Sequence, residues 1–386
     1  MGIKNFIFYT HVYNANSGGS SIFYKICIDM NKKGYNNFYL APIFCRGDGM
    51  INKSQKNDTS DIDKHGRSQI YVRDLPDEYF KKSSYPEFMQ DFIVTREMLE
   101  KRDNIAVYAE GFLGNPLEQR YVLRWIMYFP TPGLPANPTS PFGKTDKFLF
   151  WDLAYFRNID DSYTELDGCV TKSKSDYYPD EKDIIFGCYP FLHEMIDLDS
   201  DKYKNLTNRK GSCHLIRKAN PNYNRTFRQN WNVGKEYNKN HPYTKPKPPV
   251  FIHPKDSILI DHYGLNDLIS IFKTKEFFYC YDHYTFINCI ALLYGCTVIM
   301  CPPENKNFSK DNWHCDNPIY LDYVAWGDSS EQINKARELN KKVNYGEILK
   351  LYIERKKEEL FNSLIFISNN LKTDLNELNI NKNHNF

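Results

Sequence analysis

The chain has 386 residues, enough for two domains of ordinary size, and 41% of them are hydrophobic, enough to build a core in each. Its 50 Lys and Arg nearly balance its 48 Asp and Glu, leaving a formal charge of +2. That balance excludes a nucleic-acid or membrane footprint carried by bulk charge, so specificity must come from a discrete site.

At the N-terminus there is no basic segment leading into a long apolar run, and no stretch reaches the length of a bilayer span. A cytoplasmic protein is expected. Gly2 suggests myristoylation, but Phe6 stands where that motif has Ser or Thr. Asn-x-Ser/Thr sequons begin at Asn52, Asn57, Asn205, Asn224 and Asn307 and are inert in such a compartment. The 10 cysteines form no CxxC pair and several lie inside apolar runs. Free thiols behaving as small hydrophobes are expected, rather than a disulfide framework or a zinc site.

In chain order, residues 3–12 (IKNFIFYTHV) read as a first strand. The loop Asn14 to Ser20 follows, containing Ser17, Gly18 and Gly19. Ile22, Phe23, Ile26, Ile28 and Met30 then recur at roughly helical spacing up to Gly34, and Phe38-Tyr39-Leu40 is the next strand. Residues 46–68, rich in Asn, Asp, Lys and Ser, read as a surface loop. Ile105 to Ala109 is a strand ending at Glu110-Gly111, and after Asn115-Pro116 a helix is expected to hold Tyr121, Val122, Trp125 and Ile126. Pro130, Pro132, Pro135, Pro138 and Pro141 impose a rigid irregular segment. Phe148 to Trp151 resumes as strand ahead of Asp152, and Ile184 to Phe186, followed by Gly187 and Pro190, closes a first domain.

The second half opens with the strand Ser212 to Ile216, which runs into Arg217-Lys218-Ala219. Residues 220–250 read as a long loop or small insertion, Ser257 to Asp261 as a strand, and Asn266 to Lys273 as a helix. Phe277 to Pro302 is the most legible unit. It reads as the strand Phe277 to Tyr281, a turn at Asp282-His283-Tyr284, a helix begun by Thr285 and ended by Gly295, and the strand Thr297 to Cys301. Residues 330–371 read as one long helical stretch, and 372–386 as a flexible tail. The expected domains are thus 1–190, 191–330, and helices at 331–371 that pack on or cross back to the first domain.

Paired β/α halves, the NSGGS loop with its helix, EGFLGNPLEQRYVLRW, LIRKA and YDHYTFINCIALLYGC together resemble the GT-B class of nucleotide-sugar-dependent glycosyltransferases. The nearest in kind are those of bacterial surface-polysaccharide clusters and large DNA viruses. The resemblance covers most of the chain, and the order of these patches carries it. It implies an α/β fold of two Rossmann-like domains facing a central cleft, the N-terminal domain taking the acceptor and the C-terminal one the nucleotide. It also implies no permanently bound cofactor and no catalytic metal. The substrate would be a UDP- or GDP-sugar, and the partner a glycan acceptor.

Carried over, Arg217 or Lys218 offsets charge on the departing diphosphate. Asp282, His283, Tyr284 and Thr285 line the donor phosphates or sugar, and Asp261 and His262 hold the base and ribose. Retaining members commonly carry two glutamates flanking this helix. Here Asp282 and Ala291 stand near those places, so inversion is expected. His11, Glu110 and Asp152, each ending or following a strand, compete for the role of the base that deprotonates the acceptor. Ser17, Gly18, Gly19 and Asn115 belong to the acceptor side, where glycine lets backbone approach a sugar. A dinucleotide site is disfavoured, because the third glycine of G-x-G-x-x-G is missing and no acid ends the second strand. The alternatives left open are a sugar-nucleotide epimerase of the same shape and a non-catalytic nucleotide- or glycan-binding protein. Of the aromatic residues, 16% of the chain, most will be core, and Trp326 is the one expected on an exposed loop.

Overall fold

A computed structural model describes residues 4–11, 18–43, 75–109, 115–127, 146–151, 185–190, 196–204, 206, 208–216, 250–282, 285–302 and 322–382. The chain divides into two compact units. Met1–Phe191 and Lys356–Phe386 form one, and Leu192–Asn232 with Asn238–Arg355 form the other. The short piece Val233–Tyr237, grouped with the first, lies outside the described residues.

The first unit is built on a six-stranded, wholly parallel sheet in the order β2-β1-β3-β4-β5-β6. Its strands are β1 (Phe6–His11), β2 (Phe38–Ile43), β3 (Ile105–Ala109), β4 (Tyr121–Ile126), β5 (Lys147–Phe150) and β6 (Ile185–Phe186). Helix α1 (Gly18–Lys32) makes the β1–β2 crossover, burying Phe23, Ile26, Cys27 and Met30. Gly34, at φ +88°, takes the left-handed conformation that lets the chain turn back into β2. Helix α2 (Arg96–Glu100) is capped by the Thr95 hydroxyl, which accepts the Met98 amide at 3.2 Å.

Successive strand residues face opposite layers. Phe6, Phe8, Ile105, Val107, Leu123 and Trp125 pack on one, and Ile7, Tyr9, Ala106, Tyr108 and Val122 on the other. Both faces are covered, so β4 is buried along its whole length. The helix expected over Tyr121 to Ile126 is therefore a strand. Its run of Tyr, Val, Leu, Trp and Ile suits a pleat buried on both sides, and the apolar spacing that suggested a helix reflects only the absence of polar alternation. Gly18 and Gly19, expected in a loop, are the first residues of α1.

The second unit carries a five-stranded parallel sheet in the order β11-β10-β9-β7-β8. Its strands are β7 (Ser212–Leu215), β8 (Ile258–Leu259), β9 (Phe277–Cys280), β10 (Thr297–Met300) and β11 (Ala325–Trp326). Short helix α3 (Asp201–Lys204) precedes β7, α4 (Leu265–Thr274) joins β8 to β9, and α5 (Ile287–Leu293) joins β9 to β10. Every residue of α5 is buried, which explains why INCIALL has no polar face. Gly295, at φ +81°, ends it, and a Cβ there would come within 2.8 Å of the Tyr203 carbonyl oxygen. Arg209 closes this end of the unit. Its Nη1 donates to the Phe272 carbonyl at 2.7 Å and the Lys275 carbonyl at 3.0 Å, and its Nη2 donates to the Tyr294 carbonyl. The last turns of α4 and α5 thereby gain a cation and a donor for carbonyls that the helices leave open.

The C-terminal helical stretch is two helices, α6 (Ser330–Lys342) and α7 (Tyr345–Lys382), divided at Val343, whose backbone is extended. Helix α7 gives Tyr345, Leu349 and Ile353 to the core of the second unit and Leu360, Leu364, Ile367 and Leu371 to that of the first, always at helical spacing. It stays helical to Lys382, where a tail from 372 was expected, because extending a formed helix costs far less than starting one. Trp326 lies in β11 and packs, half-buried, against the second core rather than on an exposed loop.

Candidate functional site

In each sheet the strand order reverses once. From β1 the chain crosses to β2 on one side, and β3 lies on the other; from β7 it reaches β8 on one side and returns to β9 on the other. Parallel sheets with such a reversal open a crevice at the carboxyl ends of the two flanking strands, where ligands bind. Of the site residues expected from sequence, His11 ends β1 and Asp282 follows β9 beside these reversals, whereas Asn115 lies between β3 and β4 and Asp261 and His262 follow β8.

In the second unit the geometry is well defined. Leu215 and Cys280 are in register, and the Tyr281 amide donates to the Leu215 carbonyl at 2.9 Å, so β7 and β9 leave the sheet side by side. Beyond β7, the Ile216 amide donates at 2.8 Å to Oδ1 of Asp261, which follows β8. Asp261 thus fixes the path of the chain immediately ahead of Arg217. His262 beside it is exposed. Beyond β9, Asp282 is only 3% exposed, and its carbonyl accepts both the Cys280 thiol at 3.1 Å and the Thr285 amide at 3.3 Å. Thr285 is buried, and its hydroxyl accepts the Ile287 amide at 3.3 Å. Thr285 therefore serves the first turn of α5 from one residue further out than expected, since Phe286 holds the cap position without a side-chain bond. Arg217, Lys218, His283 and Tyr284 lie outside the described residues.

In the first unit, the backbone of His11 ends β1 and Ala109 ends β3. Ser17, Glu110 and Asp152 lie outside the described residues, as do the loops at 46–68 and 220–249 and the proline segment. Asn115 is taken up by the β3–β4 connection. Its Oδ1 accepts the Tyr108 hydroxyl at 2.8 Å and its Nδ2 donates to the Gln119 carbonyl at 2.7 Å. Gln119 in turn accepts Nδ2 of Asn104 at 2.8 Å, so a chain of amides holds residues 115–119 ahead of β4.

A polar cluster that the sequence reading missed lies on one face of the second sheet. His214 of β7 stacks on His253, with ring centroids 3.8 Å apart and planes 12° from parallel. Nδ1 of His214 is 3.0 Å from the Ser257 hydroxyl, and Nδ1 of His253 is 2.9 Å from the Tyr281 hydroxyl. Burial, then the neighbouring His253, push His214 down to about 4, and burial also lowers His253. The available signal was His214 at the centre of a strand whose next residues along the chain are apolar. In the first unit the corresponding surprise is Arg124, 1% exposed, with its Nε donating to Asp146 at 2.7 Å and its guanidinium over the Tyr108 ring.

Among the described residues no group of His, Cys, Asp and Glu could hold a metal ion. No helix among them is long and apolar enough to cross a membrane. Burial pushes the thiols of Cys27, Cys213, Cys280, Cys289, Cys296 and Cys301 above the ordinary cysteine range, which makes them packing groups rather than nucleophiles. Compared with protein-family models and with curated proteins, the sequence matches none.

Proposed function

We propose that this protein is a GT-B-type glycosyltransferase that moves a sugar from a nucleoside diphosphate to a hydroxyl of a glycan. The observation that supports it most is the reversal of strand order between β7 and β9, whose adjacent carboxyl ends lead directly into Arg217-Lys218 and Asp282 to Thr285. In the proposed reaction the acceptor oxygen bonds to the anomeric carbon while the bond from that carbon to the diphosphate oxygen breaks. Arg217 or Lys218 offsets the charge that develops on the leaving diphosphate. The acceptor proton passes to a base of the first unit, for which His11, Glu110 and Asp152 compete. Single displacement of this kind inverts the anomeric carbon.

Thermal unfolding in the presence of UDP, GDP, CMP, dTDP and their sugars tests the donor site. A ligand held at a hundred times its dissociation constant adds about 2.7 kcal/mol. The expected outcome is a shift with one nucleotide that is lost in Arg217→Ala or Lys218→Ala. No shift with any nucleotide would overturn the reading. Donor turnover without acceptor would point instead to an epimerase, and binding without turnover to a carrier of the same fold.

A further inference from the structure

The polar face of the second sheet, outside the proposed donor residues, carries a second device. Segment 250–257 lies across β7 and β9 and leads into β8, and a small set of contacts holds it there. The Tyr281 hydroxyl oxygen accepts the Ile252 amide at 2.8 Å and the His253 amide at 3.3 Å. With its acceptor sites so occupied, the one phenolic proton is directed at the better acceptor beside it, Nδ1 of His253. The Cys301 thiol, which also meets this hydroxyl, is the weaker acceptor. His253 must then be neutral, with its proton on Nε2. Its ring lies flat on His214, which is 7% exposed and tied through Nδ1 to Ser257, four residues further along the same segment.

We propose that His214 and His253 form a proton-operated clasp that seats segment 250–257 against the carboxyl ends of β7 and β9 and releases it on acidification. A proton on Nδ1 of His253 would face a hydroxyl already accepting two amides, and a charge on either ring would lie against the face of the other. The groups around the pair do not offset this. Asp261 favours the charged form of His214 but is outweighed by burial and by His253. Tyr279 and Tyr281 of the β9 side are neutral phenols held above their ordinary range by burial. Asp328, ahead of α6, acts on Tyr279 and Cys301. Lys255 and Asp256, on the segment itself, are exposed and of opposite sign. Release has a consequence for the switch point, because the same segment leads to Asp261, which positions Ile216, and Tyr281 directly precedes Asp282.

Hydrogen exchange of the full chain at pH 7.5 and 5.0, corrected for intrinsic rates, reads the clasp directly. Protection of the Ile252 and His253 amides should fall at least about tenfold relative to Phe278 and Ile299 in the sheet. In Tyr281→Phe it should be low at both pH values. A loss shared equally by Phe278 and Ile299, or none at Ile252 and His253, overturns the proposal. His214→Phe keeps a stacked ring that does not titrate and should reduce the pH-dependent loss to the part that His253 carries; an unchanged loss counts against the clasp. Histidine NMR of the unaltered protein makes the test independent of any variant's folding. His214 is expected neutral at pH 6 and neutral His253 is expected to carry its proton on Nε2; a charged His214 at pH 6, or the Nδ1-H tautomer at His253, would overturn the assignment.

Discussion

The two sheets solve the same packing problem with different polar chemistry. Each is parallel, reverses its strand order once and is covered on both faces, yet the first buries an ion pair, Arg124 with Asp146, while the second buries one imidazole, His214, against the half-buried ring of His253. The ion pair depends on keeping both partners, because either charge left alone would be buried. The imidazole pair is neutral only while protons are scarce. The first unit is thus sensitive to mutation of its polar layer, and the second to pH as well.

The largest expected effect breaks the first half of that contrast. Asp146→Ala leaves the Arg124 guanidinium buried without its partner and should cost about 3–5 kcal/mol, read as a lower urea midpoint. Replacing both residues, as Arg124→Met with Asp146→Leu, should recover most of the loss, because the desolvation cost disappears with the charges. An unchanged midpoint in Asp146→Ala would mean that the pair is not buried as described.

Next comes the cation that closes the second unit. Arg209→Met removes the donors to the ends of α4 and α5 and should cost about 2 kcal/mol, with little rescue by Lys, whose single ammonium cannot reach the Phe272, Lys275 and Tyr294 carbonyls together. Urea unfolding of both variants decides between a capping role and mere packing.

The pH prediction sharpens the contrast itself. His214 takes a proton near 6.5 in the unfolded chain but only near 4 in the folded one, so the unfolded state binds more protons between those values. Its contribution is fully present above about pH 6.5 and is lost as the pH falls toward about 4, amounting to roughly 2 kcal/mol. Urea midpoints measured between pH 7.5 and 4.5 should fall, and fall less in His214→Phe. A parallel decline in the two proteins would assign the pH dependence to other groups. The smallest effect is that of Tyr281→Phe, which removes the acceptor for the Ile252 and His253 amides and should cost about 1 kcal/mol at neutral pH. A loss confined to the amide protection of 252–253 would show that this hydroxyl holds the segment and not the sheet.

Much of this architecture was legible along the chain. Apolar runs bounded by Gly34 and Gly295 marked two β-α-β units, since glycine takes the left-handed conformation that ends a helix at no steric cost. The misreading of Tyr121 to Ile126 has a local cause: a strand buried on both faces shows no alternation, and only its neighbours β3 and β5 decide that it is a strand. The candidate donor positions came from strand ends read together with the resemblance to GT-B enzymes. That Asp261 holds the Ile216 amide did not, because residues 45 apart meet only once β7 and β8 pair.

By itself, the sequence determined which segments could be strands and helices, where glycine must turn the chain, and which polar residues follow strand ends, because these depend on neighbouring residues and on the period of burial. The tertiary structure alone decided strand order, and with it the position of the two switch points. It also decided the partners of isolated polar residues: Arg124 with Asp146, His214 with His253, Tyr281 with the amides of 252 and 253. A buried charge or imidazole is tolerated only when a partner distant in sequence arrives to satisfy it, and that arrival is set by the sheet rather than by any local pattern.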